Sequence, residues 1–164
     1  MSDKKTEQEK QIEKLRQNLG AIRKLAGWTA EDLGDKIGVT KQTISNLENN
    51  KNPMNFTQYL AIRTILDHEI ANNTENTILR EAVDILLDRE DINEQDYEKL
   101  QEQISAIAIS AAGGVAGATL TTLFTGVTGG ILGAVPILGG PVVATLGAVW
   151  MNKIYVDKKK KKKK

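Results

Sequence analysis

The chain has 164 residues, 40% hydrophobic but only 4% aromatic, with no cysteine and a formal net charge of +1. That length allows one domain with an appendage or two small domains, and the missing cysteines exclude a disulfide framework and thiolate metal sites, so a reducing cytosol is the natural setting. The near-zero charge hides segregation: residues 1–70 are close to balance, 71–102 carry three basic against ten acidic residues, and 103–164 carry eight lysines against one aspartate. Charge sorted into blocks points to separate roles for the blocks.

Residues 1–16 mix Lys, Glu and Gln with few apolar positions, which predicts a flexible or helical arm and no secretory leader. From Asn18, helical spacing of Leu19, Ile22, Leu25 and Ala26 predicts a first helix closed by Gly27. Thr29, with Asp32 three residues on, caps a second helix that turns Leu33 and Ile37 inward and stops at Gly38. Thr40 caps a third, with Ile44 and Leu47 inward and Asn49-Asn50 at its end; after Pro53 a fourth runs from about Asn55 to Ile70.

The apolar positions from Ile78 to Ile104 predict an acidic amphipathic helix or helix pair over 71–102, with a break near Asp91. They serve either as local core or as a dimer seam. One straight helix over 77–103 would make a stem about 40 Å long. No charged residue then appears between Glu102 and Lys153, a stretch with ten glycines, and the last seven residues are all lysine. Segments of some 20 apolar residues cross a bilayer, so Ile104–Thr125 and Ile131–Met151 predict a hydrophobic Gly-rich helical hairpin over 103–152. Small-xxx-small pairs such as Gly113/Gly117, an interfacial Trp150 and Tyr155, and the poly-Lys tail at 153–164 fit that arrangement. Pro136 and Pro141 and the many Ser, Thr, Gly and Ala residues fit instead a soluble oligomerisation module.

The segment Trp28 to Pro53, WTAEDLGDKIGVTKQTISNLENNKNP, reads as two short helices joined by a tight turn. Gly34 lacks bulk where the helices cross, and Gly38 suits a positive φ. With Ile44 and Leu47 buried, the outer face of the second of these helices carries Thr40, Lys41, Gln42, Thr43, Ser45 and Asn46, side chains able to hydrogen-bond bases and phosphates. Residues 17–70, through Arg23, TAEDLGDKIGVTKQTISNLEN and NKNP, closely resemble the phage-repressor-like helix-turn-helix family of the Xre/Cro type.

That resemblance implies a bundle of four or five helices that binds palindromic double-stranded DNA as a homodimer. It places Gln42, Thr43 and Asn46 against bases and Thr40, Lys41, Asn49 and Lys51 against phosphates, and it pairs Arg23 with Glu48 in a buried ion pair. Two positions depart from the family pattern: Ala30 stands where many members have a phosphate-gripping Gln, and Gly34 where Ala is commoner. The expected protein is all-α, with a DNA-binding bundle at 17–70, an acidic stem at 71–102 and a C-terminal hairpin. Its expected partners are DNA, further copies of itself and a lipid bilayer, at the cytoplasmic face of the membrane. A soluble regulator with a Gly-rich oligomerisation domain, or a membrane-active effector with an autoregulatory head, are the other readings. No catalytic, metal or cofactor motif is expected; His68 is the lone histidine.

Overall fold

The computed structural model describes residues 5–110, all of them in helices, turns or loops with no strand among them. Six helices follow one another: α1 Glu7–Leu25, α2 Ala30–Ile37, α3 Lys41–Glu48, α4 Phe56–Asn72, α5 Thr77–Val83 and α6 Glu94–Ser110, with one π turn, Asp84–Asp88, continuing α5.

The starts are written in short polar side chains that satisfy the first free N–H groups of each helix. Reciprocal capping boxes open α1 (Thr6 with Glu9), α2 (Thr29 with Asp32) and α4 (Asn55 with Gln58). Thr40 Oγ1 accepts the Thr43 N–H at 3.1 Å to start α3, and Asn76 does the same for α5 through the Leu79 N–H. The expected stop at Gly38 holds: it caps α2 with φ 74° and ψ 34°.

α1 begins at Glu7, well before the apolar pattern that starts at Asn18. The arm is helical because its few apolar groups have partners far along the chain. Leu15 is fully buried and Ile12 packs against the same core. α1 is the central strut, packed against α3, α4, α5, the π turn and α6. Its buried face (Leu15, Leu19, Ile22, Leu25) joins Leu33, Ile44, Leu47, Ile62 and Leu66 of the following helices in one cluster.

That cluster does not end at residue 70. Ile78, Leu79, Ala82, Val83, Ile85, Leu86, Leu87, Leu100, Ile104 and Ala108 belong to it. The apolar positions of the acidic region are therefore local core, and the region is folded back on α1 rather than extended as a straight 40 Å stem. The predicted break near Asp91 is where the fold turns: the π turn ends at Asp88 and α6 begins at Glu94. In the π turn the Arg89 N–H reaches the Asp84 carbonyl at 2.9 Å, and three consecutive side chains, Ile85, Leu86 and Leu87, are buried. A local widening of the helix lets successive apolar residues face the core on one side.

A half-buried polar cluster around Asn18 fastens α6 to α1. Asn18 donates to the Tyr97 hydroxyl at 3.0 Å and accepts from Gln101 at 2.8 Å, while Tyr97 donates to the Leu86 carbonyl at 3.1 Å. Burial raises the Tyr97 hydroxyl above its ordinary value, against the opposing hydrogen bond from Asn18. Every member thus finds partners, as buried polar groups must.

Most of the predicted hairpin, residues 111–152, and the poly-Lys tail lie outside the described residues. Among the described residues no helix is long and apolar enough to cross a membrane. Of the described residues at the start of the first predicted crossing, Ile104 and Ala108 are buried in the helical core. Ile109, 68% exposed, is the first large apolar side chain of α6 to leave the core.

Candidate nucleic-acid interface

α2 and α3 meet at an unusually close point. A Cβ built on Gly34 would lie 2.6 Å from the Val39 carbonyl oxygen, inside any permitted contact. The Gly34 carbonyl in turn accepts the N–H groups of Gly38 and Val39, the latter at 2.9 Å. This accounts for glycine where the family more often has alanine: the turn is drawn in against the helix backbone, leaving no room for a methyl group.

Burying Ile44 and Leu47 fixes how α3 is rotated. Thr40, Lys41 and Gln42 are then exposed, Thr43, Ser45 and Asn46 half-buried, and Asn49 and Lys51 exposed beyond the helix end. None of the seven residues expected to face DNA is buried. Several are already tied to one another. The Thr40 and Thr43 hydroxyls are 3.0 Å apart. Gln42 Nε2 donates to Asn46 Oδ1 at 2.9 Å, and Asn49 Nδ2 donates to the Ser45 carbonyl at 2.8 Å. Asn50 follows with φ 56°, the left-handed conformation that asparagine tolerates, and turns the chain toward Lys51.

No acidic residue stands in the first turn of α3. Its single carboxylate, Glu48, faces the other way and grips Arg23 of α1 with two parallel bonds, Nε to Oε1 and Nη2 to Oε2, the second at 3.1 Å. Both side chains are mostly buried, 12% and 16% exposed. Arg23 also donates from Nη1 to the Trp28 carbonyl at 2.7 Å. One planar guanidinium therefore joins α1, the entry to α2 and the end of α3, a fork that lysine would not reproduce.

The start of α2 is different in character. Ala30 brings no amide there, and the Asp32 carboxylate accepts both the N–H and the hydroxyl of Thr29 at 2.7 Å. The Thr29 side-chain hydrogen bond, then that of its backbone, lowers the Asp32 carboxyl below its ordinary value. An ionised carboxylate thus occupies the α2 N-terminus, where a phosphate would be repelled.

A close-packed α2–turn–α3 unit with a polar, carboxylate-free α3 face is the geometry of a helix-turn-helix DNA-binding domain. Residues 19–61 match the family model described as Helix-turn-helix, of the Xre/Cro type, and this segment of the chain is a domain of that type. No curated protein and no solved structure matches the chain.

Proposed function

We propose that the protein is a sequence-specific regulator of transcription, a repressor that binds double-stranded DNA as a homodimer through α3. The observation that carries this reading is the outer face of α3, where hydroxyl, amide and lysine side chains stand together and the one carboxylate is turned inward onto Arg23. Gln42, Thr43 and Asn46 take the base edges, and Thr40, Lys41, Asn49 and Lys51 the phosphates. Such a face enters the major groove, where each base pair presents a distinct pattern of donors and acceptors. No catalytic role is proposed.

Selection from random duplexes with the full-length protein tests it. A two-fold symmetric motif is expected, and binding without sequence preference would overturn it. Lys41→Ala and Lys51→Ala should each weaken binding across all sequences and reduce the salt dependence by about one unit of slope.

Tethering at the cytoplasmic face of a membrane is supported by composition alone, through the charge-free run from 103 to 152 and the lysines after it. Ile104 and Ala108, held in the helical core, shorten the first available crossing. Ultracentrifugation of the intact protein without detergent decides this point: recovery in the supernatant excludes tethering and leaves the Gly-rich segment an assembly role.

A further inference from the structure

We propose that Gln42 and Asn46 read DNA as one coupled unit, in which Gln42 selects adenine and Asn46, its carbonyl already engaged, selects guanine on a neighbouring base pair. The proposal rests on α3 being the recognition helix. It goes further by assigning which base each amide takes and by making the two choices interdependent.

The two residues are one turn apart on the exposed face of α3, a spacing that brings side chains together. Gln42 Nε2 donates to Asn46 Oδ1 at 2.9 Å. A primary amide has two N–H groups and one carbonyl. Using one Gln42 N–H internally leaves its carbonyl oxygen and its second N–H, the acceptor–donor fork that adenine N6 and N7 require. Asn46 is left differently equipped. One lone pair of its carbonyl oxygen is taken by Gln42, which turns that oxygen toward α3 and leaves the two Nδ2 N–H groups as the freest edge it offers to DNA. Guanine, with O6 and N7 side by side as acceptors, complements an edge led by donors, whereas adenine places a donor beside its N7. The bond also holds both flexible side chains in place before DNA arrives, which lowers the ordering cost of binding.

The coupling gives each substitution an effect at a distance from its own base. Gln42→Ala removes the adenine fork and releases the Asn46 carbonyl, so the position read by Asn46 should change from guanine to adenine. Asn46→Asp still accepts from Gln42 but has no donor, so adenine selection should persist while guanine selection is lost. Asn46→Ala should relax both positions.

The experiment is selection from random duplexes with the full-length protein and these three variants, followed by affinities for the wild-type motif. Each single alanine change should weaken binding to that motif by roughly 5- to 150-fold. The double change should weaken it by clearly less than the product of the two. If Gln42→Ala and Asn46→Ala each relax only one position and their effects multiply, the two amides act separately and the proposal is wrong, while α3 remains the recognition helix. If the wild-type protein selects no motif at all, both this proposal and the reading of α3 fall together.

Discussion

Arg63 of α4 and Asp88 of the π turn form an ion pair inside the protein: Arg63 Nη2 lies 3.0 and 3.2 Å from the two carboxylate oxygens, and the Arg63 side chain is 1% exposed. Asp67, one turn along α4, stands 3.8 Å from the same nitrogen. Burial pushes the Asp88 carboxyl above its ordinary value, more than the Arg63 charge beside it pulls it down. The pair therefore locks the π turn to the DNA-binding bundle at a real desolvation cost, a balance typical of buried ion pairs.

Removing one partner leaves the other charge stranded. Arg63→Met should destabilise the protein by about 3–5 kcal/mol in urea unfolding at neutral pH. The sign of its pH dependence is distinctive. Without the guanidinium the Asp88 carboxyl rises further, so the folded variant binds a proton that the unfolded chain has released, and the deficit should shrink as pH falls toward the carboxylate range. A deficit that stays constant on acidification would place the damage in lost packing instead.

Tyr59 makes an alkaline counterpart. Its ring is buried and burial raises the hydroxyl from 10.0 to about 12. The folded state keeps a proton that the unfolded chain loses above pH 10, so this contribution to stability is complete below pH 10 and disappears as pH rises toward about 12. Tyr59→Phe should unfold less steeply across that window in a pH series of thermal melts, and an unchanged slope would refute the assignment.

Gly34→Ala tests the close approach of α2 to the turn. Alanine favours a helix by about 1 kcal/mol over glycine. Here its Cβ would collide with the Val39 backbone at 2.6 Å, and backbone cannot step aside as a side-chain tip can. A net loss of about 1–2 kcal/mol is expected, since overpacking outweighs the gain in propensity. Weaker DNA binding should accompany it, because α3 follows directly.

Truncation tests where the folded unit ends. A fragment of residues 1–76 keeps the whole helix-turn-helix match but strips Ile78 to Ala108 from the common core and uncovers Leu15 and Asn18 of α1. It should melt well below a fragment of residues 1–110, which should match the intact chain in DNA affinity. Equal melting temperatures would show that α5 and α6 are accessory.

Helix starts at Thr29 and Thr40, the stop at Gly38, the inward Ile44 and Leu47 and the outward Gln42 and Asn46 were all legible in the amino-acid order. Each depends on residues within about one helical turn, where capping, backbone freedom and apolar period act directly. The family resemblance added the Arg23–Glu48 pair, which the structure contains. The early start of α1 was not legible, because Ile12 and Leu15 sit among Lys, Glu and Gln and gain their burial from elements later in the chain.

Chain order alone thus determined a polar helix behind a glycine turn, since those choices are made by neighbouring residues competing for the same backbone groups. Only the tertiary structure decided that the acidic region folds back on α1 and that Arg63 meets Asp88. Both join residues 25 or more positions apart. Contacts of that kind exist only once the apolar faces have chosen their partners.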